Sequence, residues 1–452
     1  MDSRPLAVFE EYMLLDSSSH YPMECFCLFQ FSGKLDRDLF ENAVRFAATR
    51  HPFIVCRIEK KKDRRFYWIP TGREYPEIID HPGIFPSDII ESFPEVDPLN
   101  VYENGAFRIH LFQTGKGWNI LFQFHHAVCD AAGSQKCIAD IFLEYAMQTG
   151  SAPENAVHSP VDPALLDVRG DLGWPFWDYL HDFFFTIRTT IRYLLFRVNT
   201  FLKHSAKEDL RLEAFPPSVH PAIYTRILDS DQSRKYYQKA KESGGSLNDI
   251  LLADLFTCIV RWQKKKGIFR RGGIYRNAVP MNLRTEKQKD MPAGNYVSMV
   301  FLDVYLREIE DSEHFVQKIH QKMNLIKKYH QGLYLNDILS WGRFLSRLIG
   351  SDLSFFLRRK NCQATVCLSN AGRLFDQFPL VRLPDGRYRM GDLLLENVLT
   401  SPPIRSLTPV SFLAMSFAGR LILTVRYDPD LLSEEGAREI LDDYLDLILA
   451  QL

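Results

Sequence analysis

Two adjacent histidines with an aspartate four residues past the second, His125-His126-Ala-Val-Cys-Asp130, are the residues of this chain best suited to chemistry. An imidazole with an ordinary pKa near 6.5 can take a proton from a hydroxyl or amine at neutral pH and return it to a leaving group. An aspartate one turn on can fix the loop or the imidazole through a hydrogen bond or an ion pair. The residues before them, Phe122-Gln-Phe124, read as an apolar strand that delivers the imidazoles to its end. A loop at a strand end, held by a rigid scaffold, is where catalytic groups concentrate. The plain alternative is a pair of satisfied polar residues that closes a strand.

The elements that must position this motif can be read on either side of it. Leu35–Arg50 reads as a helix capped by Asp36, with Leu39, Phe40, Ala43, Val44 and Ala47 inward; His51-Pro52 stops it and Phe53–Ile58 reads as a strand. Phe107–Phe112 and Trp118–Phe124, separated by Thr114-Gly-Lys-Gly117, predict a hairpin that leads into the histidines. A helix over Ser134–Met147 and a polar loop over 150–163 follow. A second block begins after the proline-rich stretch 215–221. It comprises a strand Ile223–Leu228, a helix capped by Asp229 and ended by Gly244-Gly245, and a helix opened by Ser246. Strands at Tyr296–Tyr305 and Ala364–Leu368, a hairpin of Ser411–Phe417 and Leu421–Tyr427, and a closing helix Ser433–Leu452 complete it. The expectation is an α/β chain of two lobes, 1–168 and 221–452, with a site between them and a crossover segment 169–220.

That crossover, from Trp174 to Lys203, has apolar residues every three to four positions. Its three arginines, Arg188, Arg192 and Arg197, oppose bilayer insertion by about 7–10 kcal/mol, against about 3–7 kcal/mol from its apolar residues. A helix packed on the protein's own core is one reading; a helix or helical hairpin lying on a membrane surface is the other.

Composition narrows the function classes. The chain has 452 residues, 46% of them apolar and 25% charged, which fits a packed globular protein and excludes broad disorder. A net charge of −1 argues against nucleic-acid binding, which needs a basic surplus. The N-terminal residues lack a signal-peptide pattern, so the cytoplasm is expected, with peripheral membrane contact through 174–203 as a further option. The eight cysteines are dispersed without a CxxC pair and read as small buried hydrophobes, so neither a metal site nor a disulfide framework is expected. No GxSxG, HExxH, Walker A or strand-to-helix GxGxxG run is present. Lys60-Lys-Lys-Asp-Arg-Arg65 and Arg270-Arg271 could meet the phosphates of a coenzyme, although a charge run beside a hairpin is more often a solvated loop.

His125-His126-Ala-Val-Cys-Asp130 resembles the HHxxxD(G) motif of the chloramphenicol-acetyltransferase-like acyltransferases. These include peptide-synthetase condensation domains, alcohol acetyltransferases and the wax ester synthase/diacylglycerol acyltransferases. The likeness extends along the chain in the family's order. Gly33-Lys-Leu-Asp36 through Arg50-His-Pro52 resembles the opening of these enzymes, and Ser246-Leu-Asn248-Asp249 a helix start. Val279-Pro-Met-Asn-Leu-Arg284 is similar to a "VPxxLR" strand, Gly294-Asn295 to a "GN" strand start, and Leu368-Ser-Asn370 with Gly372 to a late turn. Two departures stand out. Ala131 replaces the glycine after the aspartate, with glycine appearing only at Gly133, and no late DFGWG motif is found.

The resemblance implies a pseudo-dimer of two acyltransferase lobes in a V, with a tunnel that donor and acceptor enter from opposite faces. By that likeness His126 is the general base, with His125 beside it in the catalytic motif. Asp130 is mainly structural, ion-paired to an arginine for which Arg284 is the candidate; the alternative for Arg284 is a surface charge. Asn295, Ser369 and Asn370 are candidates for lining the tunnel or holding a developing oxyanion, with turn formation as the alternative. The expected activity is O-acylation of a small alcohol by acyl-CoA as co-substrate, with an amine as an alternative acceptor and no bound cofactor or metal. A stand-alone condensation-type enzyme that uses an acyl carrier protein is the nearest rival, and a catalytically silent binder of an acyl ligand or protein is the rival from another class.

Overall fold

Local signals open most of the helices. The computed structural model describes residues 3–85, 93–170, 198–202, 222–311, 314–355, 363–405 and 408–452. Asp36 accepts from the Leu39 N–H, Asp229 and Ser246 each form a capping box, and Ser433 accepts from the Gly436 N–H, so these helices begin where their caps dictate. In the first half the described elements are β1 (Arg4–Pro5), α1 (Val8–Asp16), β2 (Glu24–Ser32), α2 (Arg37–Arg50), β3 (Cys56–Lys60), β4 (Phe66–Pro70), β5 (Glu77–Phe85), β6 (Phe107–Thr114), β7 (Gly117–His125) and α3 (Ala131–Gln148). Next come β8 (Ile223–Ile227), α4 (Ser230–Glu242), α5 (Leu247–Lys265), β9 (Ile274–Asn282), β10 (Val297–Tyr305), α6 (Leu306–Glu310), α7 (Phe315–Lys328) and α8 (Gln331–Leu348). The chain closes with β11 (Val366–Gly372), β12 (Val381–Arg382), β13 (Tyr388–Met390), β14 (Leu393–Ser401), β15 (Val410–Phe417), β16 (Arg420–Tyr427) and α9 (Glu434–Leu449).

Two large sheets form two lobes. The first has the order β12-β13-β14-β2-β7-β6-β5, the second β10-β9-β11-β15-β16-β8, and β1-β4-β3 forms a small third sheet. Helix α3 packs on the first sheet through Phe142, whose ring meets Phe29 and Phe122 edge-on at 5.0 and 6.0 Å. Burial of such a side chain contributes about 1.5–3 kcal/mol. Over the second sheet, α5 and α9 meet: the Tyr444 hydroxyl donates to the Leu251 carbonyl (2.8 Å) and its ring packs edge-on against Phe412.

The division of the chain into 1–168 and 221–452 does not describe the first sheet, because β12, β13 and β14 come from the C-terminal half and join it through β14, which pairs with β2. Without β14, the edge of β2 would carry a row of unpaired backbone groups. The lobes are thereby interlocked, and further bonds tie them. Tyr21 donates to Asp428 (2.6 Å), and the buried Arg426 guanidinium donates to the carbonyls of Glu24 and Pro402.

Other elements differ from expectation for identifiable reasons. Pro52 starts a short 3-10 turn over Pro52–Val55, which delays the expected strand to Cys56. Asp130 caps α3, which therefore begins at Ala131 and not at Ser134. Strand β11 runs on to Gly372, through residues that sequence placed in a turn, because it lies between β9 and β15. Most of the amphipathic stretch 174–203 lies outside the described residues. Within it, Phe201 is buried and stacks on Trp262 at 5.2 Å.

Candidate active site

Strand β7 pairs with β2 in a register that sets His125 opposite Glu24, and it ends there. The chain then turns sharply: the His126 N–H donates to the Met23 carbonyl (2.7 Å) and the Val128 N–H to the His125 carbonyl (2.9 Å). Within this turn the two histidines have different surroundings. The His125 ring is buried and its Nδ1 accepts from the Ala127 N–H (3.1 Å), so the side chain holds the turn. Burial lowers the His125 pKa to about 4, leaving it neutral.

His126 is half-buried and forms part of the wall of a cavity. Its Nδ1 is buried and makes no hydrogen bond, so Nε2 is the ring nitrogen available to a ligand. Burial holds the His126 pKa below its ordinary value, outweighing its own carbonyl, Asp130 and Asn295, which favour the proton. At neutral pH this shift favours the neutral imidazole.

Asp130 sits one turn on, buried, and organises three segments at once. Oδ1 accepts from the Gly133 N–H (2.8 Å) and caps α3; Oδ2 accepts from Arg284 Nη1 (2.7 Å) and from the Tyr296 N–H (2.8 Å). Burial pushes its pKa up, but Arg284 and the backbone donors outweigh that and hold it below the usual carboxylate range. Arg284 also donates to the Gly294 carbonyl (2.9 Å), so it is a lobe-to-lobe clamp and not a free surface charge.

The loop at 289–295 is docked onto the first lobe from several directions. His51 Nδ1 accepts from the Ala293 N–H (2.9 Å), while His51 Nε2 and Arg50 both engage Asp140. Lys136 donates to the Lys289 and Met291 carbonyls. This delivers Asn295, whose Nδ2 donates to the carbonyls of His126 (2.5 Å) and Ala127 (2.8 Å). Asn295 thus fixes the backbone that carries His126.

Ala131 takes an ordinary helical conformation, and the close approach that demands glycine occurs two residues later. A Cβ at Gly133 would stand 2.7 Å from the Gly294 carbonyl oxygen and 2.9 Å from its nitrogen. Gly133→Ala should therefore cost about 1–3 kcal/mol through overpacking and lower activity by pushing Asn295 away from His126. Denaturant melts and turnover of the variant check both effects; a stable, fully active protein would show that the approach is dispensable.

A cavity of about 120 Å³ lies between the lobes, narrow against the range for drug-sized ligand sites. Met13, Met23, Phe26, Met299, Phe375 and Leu413 give it an apolar wall. Ser369 lines it, whereas Asn370 is engaged at the irregular end of β11, accepting from the Gly372 N–H (2.9 Å) and donating to Asn248 (3.4 Å). Cys25 and Cys367 also face it, with thiol pKa values pushed up to about 12 by burial, so both are poor nucleophiles. Lys60–Arg65 and Arg270-Arg271 are not among its lining residues.

Sequence reasoning singled out the histidines, Asp130, Arg284 and Asn295, and the structure brings all of them together. It noted Gly133 only as the first glycine after Ala131 and gave it no contact with Gly294. It noted His51 only within a motif, and it missed Thr400 and Ser401, which reach the cavity on the crossing strand β14.

Comparison with known proteins follows this geometry. Residues 9–161 match the Condensation domain family and residues 293–437 the WS/DGAT C-terminal domain family. An uncharacterized protein of Mycobacterium tuberculosis is 22% identical over 432 residues, 92% of each chain. Among solved structures, the first condensation domain of the calcium-dependent antibiotic synthetase superposes with a TM-score of 0.68 at 13% identity, over 99% of this chain and 96% of that one. The starter condensation domain of rhizomide synthetase, solved with C8-CoA and Leu-SNAC, superposes with a TM-score of 0.62 at 12% identity, over 99% and 94%.

Proposed function

We propose that this chain, whose two halves match acyltransferase families of the chloramphenicol-acetyltransferase-like kind, moves an acyl group from acyl-CoA to an alcohol with His126 as general base. The observation that carries this reading is an unprotonated imidazole on the wall of an apolar cavity shared by two lobes. Such a cavity suits an acyl chain, and a base beside it suits a hydroxyl acceptor.

In the proposed step His126 Nε2 takes the hydroxyl proton as the oxygen attacks the thioester carbonyl. The tetrahedral adduct then collapses, the carbon–sulfur bond breaks, and the imidazolium returns the proton to the departing thiolate. Ester and free thiol are the products. Ser369 stands on the cavity wall as a candidate donor to the oxyanion. Asn295 acts on the backbone of His126 and not on substrate.

The pH profile tests the base. Because burial lowers the His126 pKa, kcat/KM should be flat through neutral pH and fall only below the ordinary histidine value of about 6.5. An acid limb centred above neutrality would contradict the assignment.

The match of 9–161 to condensation domains favours a second reading, in which a carrier protein presents the acyl donor and an ester or amide is formed. Free thiol release from acyl-CoA, measured across alcohols and amines and beside an acylated carrier protein, separates the two. Release from acyl-CoA that depends on an alcohol supports the first reading. Transfer only from the carrier supports the second, and transfer from neither leaves a binding protein.

A further inference from the structure

Helix α8 carries its bulky apolar residues on the outside. Ile338, Trp341, Phe344, Leu345 and Leu348, with Ile349 just past its end, are 45–69% exposed. Their spacing of three and four residues lays them along one side of the helix. The buried side holds Tyr334 and Leu339 but is otherwise small or polar, with Gln331, Gly332, Asn336, Gly342 and Ser346. Burying small residues and exposing a tryptophan, a phenylalanine and four aliphatic side chains is the reverse of what an ordinary surface helix does. None of the six lines the cavity between the lobes, so the acyl site does not account for them.

A basic hairpin adjoins the end of this stripe. The β3–β4 turn exposes Lys60, Lys62, Arg64 and Arg65. It reaches the C-terminal end of α8 directly: Arg64 donates to the Gly350 carbonyl and Lys60 pairs with Asp352 at 2.7 Å. An apolar stripe beside a cluster of cations is complementary to the boundary between anionic headgroups and acyl chains. Tryptophan favours that boundary, and long basic side chains can extend from it to the headgroups. No single described helix is long and apolar enough to cross a membrane, so the contact would lie in the plane of the surface.

We infer that α8 and the β3–β4 hairpin together form a docking face for an anionic lipid surface. This face is built from other parts of the chain than 174–203, and it does not depend on the acyl-transfer reading, because membrane binding can be measured without turnover. The test is flotation of the full chain with vesicles of phosphatidylcholine, alone or with added phosphatidylglycerol, at low and high salt. Wild type should float with the phosphatidylglycerol vesicles at low salt. The double substitution Trp341→Glu/Leu348→Glu should reduce the bound fraction at least tenfold. The triple substitution Lys62→Glu/Arg64→Glu/Arg65→Glu should abolish the preference for anionic vesicles. Unchanged melting temperatures verify that both variants fold.

Three outcomes overturn the inference. Wild type that floats with neither vesicle removes the lipid. A folded Trp341→Glu/Leu348→Glu variant that floats like wild type moves the contact to another face. A wild-type dimer that the same variant converts to monomer, without flotation of either, makes the stripe an interface between two copies.

Discussion

Replacing His126 by alanine should lower acceptor-dependent thiol release by about 10²–10⁴-fold, the range for loss of a positioned general base. The melting temperature should move by no more than about 2 °C, because the half-buried ring makes no hydrogen bond through Nδ1. The neighbouring His125→Ala supplies the contrast. That ring is buried and satisfies the Ala127 N–H, so its loss leaves an orphaned donor that costs about 1–3 kcal/mol, in addition to an empty space. Adjacent histidines should thus separate cleanly, one governing rate at constant stability and the other governing stability. A His126→Ala protein that keeps its turnover would remove the proposed base.

Asp130→Ala should have the largest effect on the fold, about 3–5 kcal/mol, because it leaves Arg284 beside an empty partner site and uncaps α3. Activity should fall with it, since the same carboxylate holds the Tyr296 N–H and so the strand that follows Asn295. Denaturant melts of Asp130→Ala, Arg284→Met and the double variant measure the pair; a coupling of about 0.5–3 kcal/mol is expected. The sign with pH follows from the depressed pKa of Asp130. Its contribution is complete above the ordinary carboxylate pKa of about 3.9 and is lost as pH falls through the lower folded-state value. Wild type should therefore lose stability in acid, and Asp130→Ala should lose less over the same interval. A normally stable, active Asp130→Ala protein would leave Asp130 with no organising role.

The lobes meet at this carboxylate, so the two predictions address different layers of one device. His126 faces the cavity and is expendable for folding. Asp130, Arg284, Gly133 and Asn295 shape the turn behind it and reach it through backbone atoms. Asp254, a buried carboxylate whose hydrogen bonds come from the neutral Tyr236 hydroxyl (2.6 Å) and Gln451 amide (3.0 Å), behaves differently: burial raises its pKa to about 6.

Much of the site could be read from the amino-acid order. An apolar strand that ends in two histidines with an aspartate one turn later, and the caps at Asp36, Asp229, Ser246 and Ser433, are each encoded within a few residues. Such signals are legible because the groups that satisfy a helix end or a hairpin lie nearby in the chain. Arg284 could be named as a partner of Asp130 only through the resemblance, since 154 residues separate them. Tertiary structure alone decided the rest. Strand β14 pairs with β2 across more than 360 residues, and strand pairing depends on which edges meet in space, a property no local window contains. The same holds for Gly133 against Gly294, and for Asn295 on the His126 carbonyl, which require the two lobes to close. Helix α8 makes the point in reverse. Its periodicity marks an apolar face, but only its packing through Gly342 and Ser346 turns that face outward.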